Sequence, residues 1–207
     1  MRLTVFGANG KVGRLVVNKL IQKNYQIIAV VNNHSNFIPK NNLITLVNLN
    51  NEADLKQSIE SSDAVISVVS SWKKNNRYSL SHTMKLLMPI LSKSPSKKLI
   101  SLTGSDARDI NDNFNIINFF FHPILNLIAK DVLTDSENHL KILHQTNINW
   151  TVLRSPTMKN SSLIKVFYLS IKKRPPIWHR VSRINVATAI IELLDNQEFN
   201  QKAPFIF

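Results

Sequence analysis

Residues 4–14 read Thr4-Val-Phe-Gly-Ala-Asn-Gly-Lys-Val-Gly-Arg14, so three glycines stand where a short apolar run meets a helical pattern. The chain has only 4 glycines in 207 residues, where average usage would give roughly 14. Gly7 would let the chain turn off the strand, Gly10 would let backbone amides approach a pyrophosphate, and Gly13 would let the helix pack closely. This spacing between a strand and a helix predicts a dinucleotide-binding turn. Its expected cofactor contacts are Gly7, Asn9, Gly10, Lys11, Val12 and Gly13.

Strands and helices alternate along the rest of the chain. Apolar, β-branched runs predict strands at 2–6, 26–31, 44–47, 63–69, 99–103, 150–154 and 204–207. Helical periodicity predicts helices at 11–23, 51–61, 79–92, 132–146 and 184–194, with Asn51 and Ser79 as caps of the second and third. Such alternation is typical of parallel βαβ crossovers, and strands with few polar residues are covered on both faces. We therefore predict an α/β fold with a doubly wound, Rossmann-type parallel sheet and helices on both faces.

One domain is expected over residues 1–207, since this length suits a single core. Residues 159–183 break the alternation. We expect them to form a small C-terminal insertion on the substrate side, with short strands near 165–170 and 177–181.

Composition excludes several classes of protein. There is no cysteine, which rules out disulfide scaffolds, thiolate metal sites and a thiol nucleophile. Hydrophobic residues make up 43% and charged residues 19%, as in a globular chain. The most apolar run, 116–128, is too short and too interrupted to span a membrane, so we expect a buried helix or a lid. With no targeting segment recognised, the expected location is cytoplasmic.

Charge indicates which dinucleotide is bound. A site for NAD usually has Asp or Glu about 20 residues after the glycines, to bind the ribose 2′-hydroxyl. No acidic residue precedes Glu52, and the second strand ends at Asn32 and Asn33, with Lys11, Arg14 and Lys40 nearby in sequence. A site without a carboxylate suits a 2′-phosphate, so NADP(H) is the predicted cofactor and NAD(H) the alternative.

Four further segments accompany residues 4–14: Asp63-Ala-Val-Ile-Ser67, Leu99-Ile-Ser-Leu-Thr-Gly-Ser105, Asn149-Trp-Thr-Val-Leu-Arg-Ser-Pro156 and Ser182-Arg-Ile-Asn-Val-Ala187. In this order and spacing they resemble the atypical short-chain dehydrogenase/reductases. These are the NmrA-like NAD(P)H-binding proteins, which include flavin reductases of the biliverdin reductase B type and quinone reductases. The resemblance covers essentially the whole chain.

The resemblance implies site residues at the ends of the strands. Thr103 and Ser105 would lie beside the nicotinamide, and the remaining cofactor contacts would be Asn32, Asn33, Asn48, Leu49, Ser70, Ser71 and Pro156. The chain departs from the family pattern at some of these positions: the family often has Arg at the position of Asn32 and Gly after the fourth strand, where Ser70 and Ser71 stand. It also often has Asp where Asn185 stands, and we expect Asn185 to serve as a helix cap there.

The catalytic pair of the larger superfamily, Tyr-x-x-x-Lys, occurs only as Tyr168 and Lys172. It follows the sixth strand and not the fourth, so we interpret it as coincidence. Without that pair, hydride transfer would suit acceptors that need little acid assistance, such as flavins and quinones. Thr103 and Ser105 are the candidate hydroxyls. Two functions stay open: an NAD(P)H-dependent reductase of a flat acceptor, on which residues 119–121 would stack, or a non-catalytic NADP-binding sensor in which they fill the pocket.

Other charged patterns favour simpler interpretations. Asp106, Asp109 and Asp112 recur every third residue, but they lack a calcium-loop pattern and are expected to form a solvated acidic loop. His139 and His144 are five residues apart and do not share a helix face, so no metal site is predicted. The net charge is +13, and residues 138–191 contain no acid. This basic run would suit an anionic small molecule, and nucleic acid is an unlikely partner because no nucleic-acid motif accompanies it.

Overall fold

The computed structural model describes residues 1–31, 41–72, 78–94, 97–113 and 116–207, with the side chains of all but 116–122 and 124–126. The strands are β1 (Arg2–Phe6), β2 (Gln26–Val31), β3 (Ile44–Asn48), β4 (Ala64–Ser67), β5 (Lys98–Gly104), β6 (Trp150–Ser155), β7 (Thr157–Lys159), β8 (Leu169–Ser170), β9 (Arg180–Ser182) and β10 (Phe205–Ile206). The helices are α1 (Lys11–Gln22), α2 (Glu52–Glu60), α3 (Ser79–Leu91), α4 (Ile116–His144) and α5 (Arg183–Asp195).

Eight strands form one sheet in the order β3-β2-β1-β4-β5-β6-β10-β8. Neighbours from β3 to β10 are parallel, and β8 at the edge is antiparallel to β10. The strand order reverses beside β1, between β1 and β4, and ligands of open α/β sheets bind at such a switch point. The predicted Rossmann-type architecture is confirmed.

Two apolar layers hold the helices on opposite faces of the sheet. Leu3, Ile66 and Ile100 point into the layer that holds α1 and α5, and Val65 and Leu99 point into the layer that holds α2, α3 and α4. Successive strand residues alternate between the two faces. Because both faces are covered, the strands consist mainly of apolar residues, as the sequence indicated.

The apolar run 116–128 forms the first of two helices that meet at a break at Ala129 and together make up α4. Helix α4 extends from Ile116 to His144 and is kinked at Ala129, where φ is −135° and ψ is 39°. The expectation of a buried helix is wrong at its end, because Leu127 and Ile128 are 87% and 77% exposed. Among the described residues, no helix has the length and apolar character to cross a membrane.

Helix α3 begins differently from the prediction. Ser79 is its first residue, and the N-cap position is Tyr78, whose φ is 61°. The acceptor comes from α4: the carboxylate of Asp135 accepts hydrogen bonds from the backbone N–H groups of Leu80 and Ser81, both at 2.9 Å. A side chain 54 residues away in sequence from Ser81 therefore satisfies this helix end.

The 159–183 segment is tied to α5 by an amide side chain. Ser182 caps α5, since its Oγ accepts a hydrogen bond from the N–H of Asn185 at 3.1 Å. Asn185 is therefore not the cap that we predicted. Its side-chain amide instead forms two 3.0 Å hydrogen bonds with the backbone of Lys165. The strands of the segment are shorter than expected, at Leu169–Ser170 and Arg180–Ser182.

Candidate functional site

Two glycines of the turn are required by the backbone itself. Gly7 has a φ of 75°, and a Cβ there would lie 2.9 Å from the carbonyl oxygen of Val68. At Gly13, a Cβ would lie 2.1 Å from the carbonyl oxygen of Gly7, well inside contact distance. Glycine permits a positive φ and this close approach of helix to strand. These two positions therefore shape the turn between β1 and α1.

The third glycine leaves space for a ligand. Gly10 has ordinary extended angles (φ −70°, ψ 168°), and among the described residues a Cβ there would meet only the carbonyl oxygen of Gly7, at 3.1 Å. Gly10 is the N-cap of α1 and has no side chain with which to cap it. The first helical amides, those of Lys11, Val12 and Gly13, have no acceptor within the helix. This geometry fits a cofactor pyrophosphate, because backbone donors and the helix dipole face a space that a Cβ would fill.

The side chains around the turn divide into buried and exposed ones. Val12 points into the core, so only its backbone could contact a cofactor, whereas Lys11 is exposed. The guanidinium Nε of Arg14 donates to the carbonyl oxygen of Asn9 at 3.0 Å and so links the turn to the helix. The predicted contact residues of this turn are thus brought together.

A basic groove borders the turn on the side of the insertion. It has a volume of about 560 Å³ and is lined by Lys11, Arg14, Leu15, Asn160, Ser161, Ser162 and Arg183. Arg183 Nη1 donates to Asn160 Oδ1 at 2.6 Å, which joins the start of α5 to the insertion. The sequence analysis did not single out Arg183 and Asn160, which line this groove. Arg183 stands within the Ser182-Arg-Ile-Asn segment, so the resemblance offered a signal for it.

The ends of β2 and β3 form the neighbouring edge. The N–H of Leu49 donates to the carbonyl oxygen of Val31 at 3.1 Å, and Asn48 Oδ1 accepts from the N–H of Asn50 at 3.0 Å. Asn48 and Leu49 therefore lie directly beside the end of β2. Asn32 and Asn33, expected to contact the adenosine part of the cofactor, lie outside the described residues.

The ends of β4 and β5 carry hydroxyl groups at the same edge of the sheet. Thr103 is 6% exposed, and among the described residues its Oγ1 has no hydrogen-bond partner; the same holds for Ser67 Oγ. Buried polar groups are normally paired, so an unpaired hydroxyl here is available to hydrogen-bond a bound cofactor. Ser105 is also buried, and its N–H donates to the carbonyl oxygen of Ser155 at 2.8 Å, next to the buried Pro156.

Ser70 and Ser71 follow β4 but differ in environment. Ser70 is exposed, whereas Ser71 is buried and its hydroxyl donates to the carboxylate of Asp135. Ser81 Oγ donates to the same carboxylate at 2.5 Å. The hydroxyl of Ser71 thus serves the interior contact between α3 and α4, and only its backbone could serve a cofactor.

A buried histidine lies behind these hydroxyls. His139 on α4 is fully buried, and its Nε2 is 2.9 Å from Ser101 Oγ. Burial lowers the pKa of His139 to about 4, and the nearby Asp135 charge opposes that shift only in part. The imidazole is therefore neutral at physiological pH. Its Nδ1 has no hydrogen-bond partner among the described residues.

The aspartates after β5 are structural and not the solvated loop that we expected. Asp112 forms two hydrogen bonds with the buried guanidinium of Arg154, at 2.6 and 2.7 Å. Asp109 Oδ2 is 2.9 Å from His144 Nε2, and Asp106 pairs with Arg174 at 3.6 Å. Each carboxylate has a different cationic or imidazole partner. Among the described residues, no group of His, Asp or Glu side chains could hold a metal ion.

Tyr168 directly precedes β8. It is 63% exposed, and its backbone pairs with that of Phe207 near the antiparallel edge of the sheet. Lys172 is exposed beyond β8. The pair thus stands on either side of β8, Tyr168 just before it and Lys172 after it, whereas Thr103 and Ser105 come from β5 and the turn after it.

Comparisons with known proteins agree with this geometry. A search of curated protein sequences finds no match. Solved structures similar to the chain include the oxidoreductase ylbE from Lactococcus lactis (18% identity, TM-score 0.77, covering 100% of this chain and 90% of that one). A candidate NADH-flavin reductase from Streptococcus pneumoniae is also similar, with 16% identity and a TM-score of 0.75, covering 100% of this chain and 99% of that one. A third similar structure is a short-chain dehydrogenase/reductase from Veillonella parvula in complex with NADP. It has 15% identity and a TM-score of 0.79, covering 99% of this chain and 93% of that one.

At these identities the solved structures establish the fold alone. The family is established separately, because a single family model matches residues 7–197, from the first glycine of the turn to just beyond α5. The chain belongs to the NAD(P)H-binding family.

Proposed function

We propose that the protein is an NAD(P)H-dependent reductase that transfers hydride to a flavin, a quinone or a similar flat acceptor. The observation that carries the proposal is the open face of the turn at Gly10, beside a helix end that no side chain caps. Bound NADPH would supply the hydride, which is chemistry that the protein itself cannot provide.

The residues of this chain would bind and orient the cofactor. Backbone amides at the start of α1 would hold the pyrophosphate, and Lys11 and Arg14 would add positive charge beside it. Asn48 and Leu49 would border the adenosine. Thr103 Oγ1, buried without a partner among the described residues, would bond to the nicotinamide part or to a water beside it.

NADPH is the preferred cofactor in this proposal, with NADH as the weaker one. No acidic side chain precedes Glu52 to accept a bond from a ribose 2′-hydroxyl. The groove at Lys11, Arg14 and Arg183 supplies cations for additional phosphate charge. The named neighbours support this only as proteins of the same fold, one of them in complex with NADP.

A flat acceptor suits the side chains near the nicotinamide. Ser67, Thr103 and Ser105 carry hydroxyls at the ends of β4 and β5, and the titratable groups behind them, Asp135 and His139, are both buried. No exposed general acid stands among these residues, so the best acceptors accept hydride without strong acid assistance. The candidate NADH-flavin reductase of the same fold supports a flavin as one such acceptor.

The same observation favours one alternative, a non-catalytic NADP-binding sensor of the NmrA-like type. A binding protein needs the glycine turn and no proton donor. The deciding experiment is NADPH oxidation with a panel of flavins and quinones. Turnover with at least one acceptor supports the reductase. Tight NADPH binding without turnover on any acceptor supports the sensor, and absence of NADPH binding contradicts both.

A further inference from the structure

The 163–178 segment exposes an unusual number of apolar side chains. A soluble monomer usually exposes such residues singly, but here they are concentrated within one short stretch. Val166 and Trp178 are 82% and 80% exposed. The full set is Leu163, Ile164, Val166, Tyr168, Ile171, Ile177 and Trp178.

The backbone of this segment is held by the fold, so the exposure is built in. Phe167 and Leu169 pack against the core layer that holds α1 and α5, and Leu169 pairs with Ile206 of β10. The backbone of Lys165 is fixed by its two hydrogen bonds with the side-chain amide of Asn185. Tyr168, between Phe167 and Leu169, faces solvent, and residues 163–166 are exposed one after another.

Positive charge surrounds these apolar side chains. Exposed lysines and arginines flank or interrupt them, at Lys159, Lys165, Lys172, Lys173 and Arg180. No carboxylate occurs anywhere between residues 138 and 191. A second copy of the chain would bring the same charge to the contact and be repelled, so the complementary surface is anionic.

We propose that the 163–178 segment docks on an anionic lipid surface. Apolar side chains would enter the boundary between headgroups and acyl chains, Tyr168 and Trp178 would sit at headgroup level, and the lysines would attract the lipid charge. This contact lies on the membrane surface and needs no spanning helix. The contact does not depend on cofactor binding or turnover, so it can be tested separately from the reductase proposal.

The test is co-sedimentation of the purified full chain with lipid vesicles. Vesicles of phosphatidylcholine mixed with phosphatidylglycerol should retain the protein, and vesicles of phosphatidylcholine alone should retain at least about tenfold less. Raising the salt from about 0.1 M to about 1 M should release much of it, because exposed charges are screened. Equal retention on both vesicles, or on neither, would overturn the proposal.

Paired variants locate the contact. V166S/W178S and K172Q/K173Q should each weaken retention about tenfold or more. Ile110→Ser and K23Q/K85Q remove exposed apolar and basic groups outside the segment and should leave retention unchanged. Equal effects of segment and control variants would contradict the assignment. A concentration-dependent dimer that V166S/W178S abolishes would instead identify a second copy as the occupant and overturn it.

Discussion

At the scale of single residues, the three glycines of the turn have different tasks. A Cβ at Gly13 would overlap the carbonyl oxygen of Gly7 at 2.1 Å, whereas a Cβ at Gly10 would be tight at only one atom, 3.1 Å away. Gly10→Val should therefore keep the fold and abolish cofactor binding, because its side chain fills the space that the pyrophosphate needs. Fluorescence titration with NADPH measures the binding, and circular dichroism checks the fold.

Gly13→Ala is the matched comparison. It should destabilise the protein by about 1–3 kcal/mol or more, since helix and strand must move apart. Unchanged NADPH affinity in folded Gly10→Val would remove the basis of the proposed site. A Gly13→Ala variant as stable as the parent would contradict the assigned roles.

A second prediction at this scale concerns hydroxyl groups. Thr103→Val should lower kcat by roughly five- to 150-fold, as expected for the loss of one positioning hydrogen bond of about 1–3 kcal/mol. It should not lower stability, because Thr103 Oγ1 has no partner to lose among the described residues and valine keeps the branched shape.

Tyr168→Phe is the control for that experiment. It should lower kcat by less than about tenfold, since a true general acid contributes about 10²–10⁴-fold. Both rates are measured at saturating NADPH, with the same acceptor. An inactive Tyr168→Phe together with a normal Thr103→Val would show that the active site lies elsewhere.

At the scale of elements, α4 holds the start of α3 through Asp135. Its carboxylate accepts from two backbone amides and two serine hydroxyls, and it is fully buried. Asp135→Ala would leave those donors unpaired in the interior, and we expect a loss of about 3–5 kcal/mol in urea unfolding. Asp54→Ala at the exposed start of α2 is the control, with an expected loss below about 1 kcal/mol. Equal losses would mean that Asp135 does not hold α3.

The contact of α4 with the sheet also predicts a pH dependence. The pKa of His139 is lowered from 6.5 to about 4 in the folded protein, chiefly by burial. The unfolded chain therefore binds a proton more readily, and stability from this group is present above pH 6.5 and lost as the pH falls toward 4. The loss is on the order of 3 kcal/mol.

The measurement is the free energy of unfolding of the parent and of His139→Leu between pH 7 and pH 4. The variant should lose less stability over that range, because it lacks the imidazole that binds a proton in the unfolded chain. Parallel curves for the two proteins would show that His139 is not the group responsible.

At the scale of the whole molecule, the charge distribution predicts cofactor preference. NADPH should bind more tightly than NADH, since no carboxylate precedes Glu52 and cations line the groove next to α1. The difference in affinity between NADPH and NADH should decrease as the salt concentration rises, because exposed charges are screened. Titration with both cofactors at two salt concentrations measures it. Equal or tighter binding of NADH would contradict the prediction.

What the sequence by itself determined is local in origin. The glycine turn follows from three small residues at fixed spacing between β1 and α1, and the parallel sheet follows from alternating apolar runs. The Asn51 cap of α2 was predictable for the same reason, because Asn51 Oδ1 accepts from the N–H of Asp54, three residues later. Such features depend on neighbours within a few residues, so pattern and chemistry suffice to find them.

Only the tertiary structure decided how distant residues meet. Asp135, not Ser79, satisfies the start of α3, Asn185 holds Lys165 rather than capping α5, and Asp112 pairs with Arg154 rather than facing water. It also left Leu127 and Ile128 exposed although their sequence is apolar. These outcomes depend on which faces pack together across many residues, and periodicity specifies that a helix has an apolar face without specifying what covers it.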